Sequence, residues 1–267
     1  MNITPDSFSE SGRDYSAEAA VEHGRELAAA GAAVLDVGAE ASSFFRKGVT
    51  PVEAGEQLRR LLPVVEGLGR ELPVMVLSID TRSAAVAEAC LERLGGARAI
   101  INDISAGTHD GRMFEVVAKY GAGMILMHMM PGYPATAPDD TDIVGRVRAY
   151  LAERVAAAEA AGIARERLAV DPGVGFGKSM ADSWRLVMGV EGWSVPGVAS
   201  VLGVSRKRFL ETAPPREIAE RLAALVGQAP EGGGGSHPRD RMTWAVTALL
   251  GARVTLHRLH AMPERPV

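Results

Sequence analysis

The feature that most constrains the fold is a repeated alternation between short apolar runs and longer amphipathic segments. The apolar runs are residues 32–37, 74–80, 98–104, 123–129, 168–173, 200–205 and 253–260. Segments rich in alanine, leucine and glutamate separate them, at 16–30, 52–69, 83–94, 111–120, 142–161, 180–189 and 240–250. Continuous apolar runs are typical of strands buried on both faces of a parallel sheet, and their alternation with helical segments predicts βαβ units.

Polar residues at the ends of these runs favour a closed barrel over an open, doubly wound sheet. They are Asn2, Asp36, Asp80, Asn102, Asp103, His128, Asp171, Ser205 to Lys207, Arg258 and His260. In a (β/α)8 barrel the C-terminal strand ends meet on one face, which carries the active site, whereas an open sheet spreads them along a line. We therefore predict an α/β protein with a (β/α)8 (TIM) barrel fold. Its first strand, "MNIT", and its last helix are predicted to be truncated.

Composition narrows the class of protein. The net charge of −4 gives no basic face for nucleic acid, and no apolar run approaches the roughly 18 residues that span a bilayer. The single cysteine, Cys90, excludes an internal disulfide and suits a reducing compartment, so we expect a cytoplasmic protein without nucleic-acid or membrane partners. One domain is predicted over 1–267, with a flexible glycine-rich insertion at 228–239.

The segment "DPGVGFGKS" (171–179) predicts a tightly folded loop beside a ligand. It is not a phosphate-binding P-loop, because Pro172 stands where that motif needs glycine, and Lys178 occupies the third glycine position of a dinucleotide fingerprint. Glycines at alternate positions allow backbone conformations that other residues avoid. A purely structural turn is the alternative reading.

A carboxylate–amide cluster is predicted from "SIDTR" (78–82), "INDIS" (101–105) and the loop above. Asp80, Asn102 and Asp171 at one barrel mouth would suit a flat, nitrogen-rich heterocycle with an amidine-like edge. The alternative for Asp80 is an N-cap for the helix that starts near Ser83.

Cations and methionines follow on other strands. Arg258 and His260 in "HRLH" would share one face of a strand and form a pyrophosphate clamp. "SRKR" (205–208) adds cations, with solvated surface charge as the alternative. The methionines of "MILMHMMP" (124–131) read as core packing, and His128 alone does not indicate a metal site.

These motifs together resemble dihydropteroate synthase, a family of pterin-binding enzymes. The resemblance rests on "NITPDSFSESG" (2–12), "AAVLDVGAEASS" (32–43), the segment 78–95, "INDISAG", "LMHMMPG", "DPGVGFGKS", "GVSRK" and "RLH", in that order from Asn2 to His260. It implies a transferase of folate biosynthesis. Such an enzyme condenses 6-hydroxymethyl-7,8-dihydropterin pyrophosphate with p-aminobenzoate, releases 7,8-dihydropteroate and pyrophosphate, and is assisted by Mg²⁺. It also implies small-molecule partners, a homodimer and sensitivity to sulfonamides.

The resemblance further implies a set of site residues. The catalytic residues would be Lys207, Asp80, Asp171, Arg258 and His260. The pterin would contact Asp80, Asn102, Met127, Asp171, Phe176 and Lys207. The pyrophosphate would contact Asn2, Ser42, Arg258 and His260, with Asn2 also the metal ligand. p-Aminobenzoate would contact Pro5, Phe8, Phe44, Phe45, Ser205 and Arg208.

The chain departs from the family pattern on the p-aminobenzoate side. The second loop reads Ala41 to Gly48, "ASSFFRKG", where the family has Ser-Thr-Arg-Pro-Gly, and Arg208 and Ala261 replace a serine and an aspartate. A non-catalytic pterin-binding homologue therefore stays an alternative. A pterin-dependent methyltransferase is a second one, although a methyl carrier has no pyrophosphate for Arg258 and His260 to bind.

Two adjacent phenylalanines in the second loop lead to the first prediction. We expect one of Phe44 or Phe45 to cover the amine site, with Arg46 or Arg208 binding the carboxylate of p-aminobenzoate. Combined Phe44→Ala and Phe45→Ala should therefore raise the KM for p-aminobenzoate far more than the KM for the pterin substrate. Steady-state kinetics with each substrate varied in turn measure this, and unchanged KM values for both would contradict it.

Overall fold

The computed structural model describes residues 1–3, 16–40, 51–228, 237 and 239–261. Parallel strands alternate with helices along this part of the chain. The strands are β1 (Val34–Gly38), β2 (Val76–Asp80), β3 (Ala99–Asp103), β4 (Gly123–Met127), β5 (Leu168–Asp171), β6 (Ala199–Leu202) and β7 (Leu256–His257). The helices are α1 (Ala17–Ala29), α2 (Ala54–Glu71), α3 (Ala84–Leu94), α4 (Met113–Tyr120), α5 (Ile143–Ala160), α6 (Met180–Met188), α7 (Val190–Trp193), α8 (Arg216–Gln228) and α9 (Asp240–Leu250).

The chain divides into two compact units. The first comprises residues 1–127 and 154–169, and the second comprises residues 128–153 and 170–267. The prediction of one domain over 1–267 stays a prediction, and most of the glycine-rich insertion lies outside the described residues. None of the described helices is long and apolar enough to cross a membrane.

Four parallel strands form the sheet of the first unit, in the order β1-β2-β3-β4. Every residue of β4 is buried, as expected for a strand covered on both faces. Leu35, Ile79 and Ile101 are among its largest fully buried side chains. The predicted remnant of a first strand is present as a parallel bridge between Asn2 and Gly38, beside which the Ile3 N–H donates to the Gly38 carbonyl at 2.7 Å.

In the second unit β6 and β7 pair in parallel. The structure differs from the sequence-based prediction at two places in this unit. The run 253–260 was expected to be one strand, but β7 contains only Leu256–His257, and a short 3₁₀ helix occupies Gly251–Arg253. Helix α8 was not predicted at all. Only Ile218 and Leu222 of α8 are buried, so its apolar stripe is too thin to stand out in the sequence.

Gly96 is fixed by a close approach of the backbone in the first unit. It begins the 3₁₀ turn Gly96–Arg98 between α3 and β3. A Cβ atom at this position would lie 1.8 Å from the carbonyl oxygen of Tyr120, the last residue of α4. Because that oxygen belongs to backbone, a rotamer change cannot relieve the overlap.

We predict that Gly96→Ala lowers the free energy of unfolding by about 3 kcal/mol, the cost of inserting a methyl group into a filled space. The matched control is Gly55→Ala in α2, where an added Cβ meets nothing within 4 Å. That change should stabilise the protein by about 0.5–1 kcal/mol through helix propensity. Urea unfolding of both variants measures the difference, and equal midpoints would contradict the prediction.

Candidate active site

In the first unit, the parallel register brings two predicted site residues side by side. Gly38 pairs with Asp80, and Asp80 pairs with Asn102, across β1, β2 and β3. Paired residues on parallel strands point to the same face of a sheet. Asn102 is 1% exposed, whereas Asp80 is half-buried at the last position of β2.

Gly38 leaves the space beside Asp80 open. A Cβ atom at Gly38 would lie 3.0 Å from the Cβ and 3.5 Å from the Cγ of Asp80. Any larger residue on β1 would therefore crowd the Asp80 carboxylate.

A second polar layer lies one step deeper on the same face. Asp36 pairs with Ser78 in the register, and the Ser78 hydroxyl donates to Asp36 Oδ1 at 2.5 Å. The Asn102 Nδ2 lies 3.4 Å from both carboxylate oxygens of Asp36. Asp36 was recognised in the sequence only as a polar strand residue, and this contact between residues 66 positions apart left no local signal.

The alternative role of Asp80 as a helix cap is wrong. The N-cap of α3 is Ser83, whose hydroxyl accepts from the Val86 N–H at 3.5 Å. The Thr81 hydroxyl accepts from the Ser83 N–H at 3.2 Å. Asp80 is therefore not needed to begin the helix.

The first unit also contains Asn2 and Met127, which are two further predicted site residues. Asn2 is exposed next to its bridge with Gly38. Met127 ends β4 and is 1% exposed, and Met124 is fully buried. The interpretation of the methionines of 124–131 as core packing is confirmed for Met124 and Met127, whereas Met129 and Met130 are half-buried.

Glu40, which lies just before the second loop, is hydrogen-bonded to Val52, which lies just after it. Its Oε1 accepts from the Val52 N–H at 2.8 Å, and its Oε2 lies 3.7 Å from the guanidinium of Arg82. The predicted residues Ser42, Phe44 and Phe45 fall between these anchor points and lie outside the described residues, as do Pro5 and Phe8.

In the second unit, the loop after β5 is tightly folded, as predicted. Gly173, Gly175 and Gly177 have φ angles of 63°, 80° and 73°. The Gly173 N–H donates to Asp171 Oδ1 at 2.7 Å, so the loop fixes the orientation of that buried carboxylate.

Lys178 has a structural role that its motif did not reveal. It is 4% exposed, and its Nζ donates to the carbonyls of His128, Gly173 and Phe176 at 3.0, 2.8 and 3.4 Å. Burial, followed by the neighbouring Lys207 charge, lowers the pKa of Lys178 to about 7. The side chain binds the loop from within.

Lys207 contacts both the loop and an aromatic ring. Its Nζ donates to the carbonyl of Val174 and lies 5.0 Å from the ring centroid of Phe176. Phe176 is 7% exposed. Burial lowers the pKa of Lys207 to about 7; Asp171 opposes this shift and Arg258 adds to it.

Arg258 and His260 lie beyond the end of β7, so the expectation that a strand aligns them is wrong. The Arg258 Nη2 lies 3.8 Å from Asp171 Oδ2. Gly203 makes room for it, since a Cβ atom there would lie 3.2 Å from the Arg258 Nε.

His260 contacts Ser205 through two of its nitrogens. Its Nδ1 and backbone N lie 2.9 and 3.3 Å from the Ser205 hydroxyl. His260 is exposed as a whole residue, and desolvation of the ring and the Arg206 charge lower the pKa of His260 to about 4. His260 is therefore neutral at pH 7 and can only supply a neutral hydrogen bond.

The cations of "SRKR" have three different environments. Arg206 forms a bidentate ion pair with Asp240 at 2.8 and 3.0 Å, Lys207 faces the loop, and Arg208 is exposed. The interpretation as surface charge is thus correct for Arg208 and wrong for Lys207.

Within the described residues, no group of three or more His, Cys, Asp or Glu side chains could hold a metal ion.

Comparison with known proteins gives consistent matches. The family described as pterin binding enzyme matches residues 1–246. The dihydropteroate synthase of Mycobacterium leprae is 40% identical over 213 residues, which covers 79% of this chain and 72% of the relative.

Solved structures are similar over nearly the whole chain. Xanthomonas albilineans dihydropteroate synthase with 4-aminobenzoic acid has a TM-score of 0.76 at 37% identity, covering 97% of this chain and 85% of that one. The same enzyme in complex with 7,8-dihydropteroate has a TM-score of 0.74 at 35% identity, covering 98% and 86%. This likeness confirms the predicted α/β barrel fold class.

The low pKa of Lys207 predicts a pH-dependent contribution to stability. An unfolded lysine has a pKa of about 10.4, so between pH 7 and 10 the unfolded chain binds more protons at this residue than the folded chain does. The folded state therefore gains stability from this residue as pH rises and loses it as pH falls through 7. The free energy of unfolding of the unchanged protein, minus that of Lys207→Met, should rise by about 2–4 kcal/mol from pH 7 to pH 10.

Urea unfolding at several pH values measures this difference. Lys119→Met is the control, because Lys119 is exposed and its hydrogen bond to Glu88 raises its pKa. That variant should parallel the unchanged protein over the same range. A difference for Lys207→Met that is independent of pH would contradict the prediction.

Proposed function

Because the chain belongs to the pterin binding enzyme family, we propose that residues at and after its strand ends bind and activate the substrates of the dihydropteroate synthase reaction. The chain is a transferase of folate biosynthesis, which condenses 6-hydroxymethyl-7,8-dihydropterin pyrophosphate with p-aminobenzoate. The observation that carries the residue assignment is that Asp80 and Asp171 end their strands, Asn102 lies one residue before the end of β3, and Lys207 contacts the loop that follows Asp171.

Asp80 and Asn102 are two of the residues that we propose as pterin contacts. Asp80 presents a half-buried carboxylate, and Asn102 presents a buried amide on the same face. These groups match the alternating N–H and nitrogen acceptors of a pteridine edge. Met127 offers an apolar contact for one ring face.

Asp171, Lys207 and Phe176 are further residues that we propose as pterin contacts. Asp171 is held by the Gly173 N–H as an acceptor for pterin N–H groups. Lys207 donates to acceptor atoms of the ring, and Phe176 packs against a ring face. Binding a ligand that accepts from Lys207 favours its protonated form, which is only partly populated near pH 7 in the free protein.

Arg258 is the cation that we assign to the leaving pyrophosphate. Its guanidinium is always charged and matches phosphate oxygens bidentately. His260 is neutral, so it contributes a hydrogen bond rather than a charge. Asn2 and Ser42 complete the proposed pyrophosphate contacts.

The donor set suits Mg²⁺ held largely by the substrate. Asn2 offers one exposed amide oxygen, and Mg²⁺ commonly binds through one or two protein oxygens, substrate phosphates and water. When bound, Mg²⁺ would neutralise charge on the pyrophosphate.

The p-aminobenzoate contacts that we propose are Pro5, Phe8, Phe44, Phe45, Ser205 and Arg208. Ser205 is buried and already bonded to His260, whereas exposed Arg208 makes no hydrogen bond or ion pair with a described residue. Arg208 is thus the stronger candidate for the substrate carboxylate. Sulfonamides, which imitate p-aminobenzoate, would compete for these contacts.

The reaction breaks the bond between the pterin methylene carbon and the pyrophosphate oxygen. The electron pair leaves with pyrophosphate, whose negative charge Arg258 stabilises. Asp80 and Asp171 favour the positive charge that spreads into the pterin ring. The amine of p-aminobenzoate then attacks the methylene carbon and its proton passes to the released pyrophosphate, so the residues position and stabilise without forming a covalent intermediate.

We also propose that the protein is a homodimer, that it is located in the cytoplasm and that sulfonamides inhibit it. These proposals are supported by membership of the enzyme family and by the resemblance of sulfonamides to p-aminobenzoate. The −4 net charge also suits small-molecule substrates rather than nucleic acid.

Arg258→Met should lower kcat for pyrophosphate release by about 100- to 1000-fold, the usual loss when one group that stabilises developing negative charge is removed. The KM for p-aminobenzoate should change little. Arg253→Met is the matched control, because Arg253 forms an exposed ion pair with Glu191 at 2.6 Å.

A coupled pyrophosphate assay with both substrates and Mg²⁺ gives these values, and more than half of the original kcat in Arg258→Met would contradict the assignment.

Slow pyrophosphate release without any amine should also be detectable, because bond breaking precedes attack. A strict requirement for p-aminobenzoate would contradict that order. Pterin binding with no release under any condition would favour the non-catalytic homologue.

A further inference from the structure

We infer that Asp36 is a positioning residue that fixes the orientation of the Asn102 amide, and so decides where its oxygen and nitrogen lie relative to the pterin. The inference rests on the proposed function, in which Asn102 binds the pterin. It concerns a residue in the layer beneath the ligand contacts.

The contact between Asp36 and Asn102 is directional. A carboxylate has acceptors only, so the end of the Asn102 amide that faces it must be the nitrogen. Both Asp36 oxygens lie 3.4 Å from that nitrogen. The amide oxygen is therefore turned away from Asp36.

Ser78 fixes the carboxylate in turn. Its hydroxyl donates to Asp36 Oδ1 at 2.5 Å from a side chain that is 1% exposed. Because Ser78 and Asp36 are paired in the parallel register, the bond runs across adjacent strands and does not depend on a loop. Hydrogen bonds therefore connect the side chain of Ser78 to that of Asp36, and the side chain of Asp36 to that of Asn102.

This orientation matters because an asparagine amide is nearly symmetric in shape but not in hydrogen bonding. A half-turn about its last bond exchanges the oxygen and the nitrogen at little steric cost. With the nitrogen directed at Asp36, the amide oxygen and one remaining N–H are available to a ligand. An acceptor beside a donor is complementary to the 2-amino group and adjacent ring nitrogen of a pterin.

The inference predicts a defect specific to the pterin. Asp36→Asn preserves shape but offers both a donor and an acceptor to Asn102, so both amide orientations become populated. We expect the Kd for 6-hydroxymethyl-7,8-dihydropterin pyrophosphate to rise about 10- to 100-fold, since a buried hydrogen bond to a charged group is lost. Ser78→Ala should act in the same direction but more weakly, because Asp36 remains.

A double-mutant cycle separates positioning from a general structural effect. Calorimetric titration with the pterin pyrophosphate is done on Asp36→Asn, Asn102→Ala and the double variant, with thermal unfolding as a check on folding. If Asp36 acts through Asn102, Asp36→Asn should change the Kd by less than about threefold once Asn102 is alanine. Asp110→Asn is the matched control, because Asp110 caps backbone N–H groups of Ala84 and Arg112 in the same unit, and it should leave the Kd unchanged.

The outcomes distinguish the inference from the function on which it rests. Additive effects of Asp36→Asn and Asn102→Ala, or an unchanged Kd for folded Asp36→Asn, would overturn the positioning role alone. An unchanged Kd for Asn102→Ala would overturn the assignment of Asn102 to the pterin, and the inference with it. If Asp36→Asn does not fold, the cycle between Ser78→Ala and Asn102→Ala gives the same decision.

Discussion

The hydrogen-bonded register of β1, β2 and β3 decides which side chains can reach a ligand. Asp36, Gly38, Ser78, Asp80 and Asn102 occupy positions of one parity in that register. Positions of the other parity carry Val37, Ile79 and Ile101, all fully buried. A slip of one residue in β2 would exchange the two sets. The apolar packing on one face therefore fixes the polar chemistry on the other.

The second unit meets a different constraint, since several charged groups share a desolvated region. Burial lowers the pKa of both Lys178 and Lys207 to about 7, and the neighbouring Asp171 carboxylate opposes the shift in each case. The two lysines are nevertheless separated in role, because Lys178 donates its hydrogens to backbone carbonyls of the loop. Lys207 is the one that we propose as a ligand contact.

Much of the fold could be predicted because its elements depend on local pattern. Buried strands and amphipathic helices repeat along the sequence, and Asp80, Asn102 and Asp171 end or nearly end the strands to which they were assigned. Strand β7 was predicted too long because the apolar and polar residues of 253–260 alternate like a strand, although only Leu256–His257 pair. Helix α8 was missed because few of its side chains are buried.

The parts that could not be predicted depend on contacts between distant residues. Arg206 is bound to Asp240 and Asn102 faces Asp36, over 34 and 66 positions of sequence. The neutral state of His260 likewise follows from its surroundings rather than from its motif. Sequence motifs thus predicted which residues belong to the site, whereas their charge states and orientations required the three-dimensional environment.

The bond from the Val52 N–H to Glu40 bears on how such an enzyme can change over evolutionary time. It ties the chain together on both sides of the segment in which this sequence departs most from its family. Insertions or substitutions within a closed loop add little to the cost of closure, and they leave β1 and the start of α2 where they were. Changes of sequence between Glu40 and Val52 can therefore accumulate without displacing Gly38, the residue of β1 that pairs with Asp80.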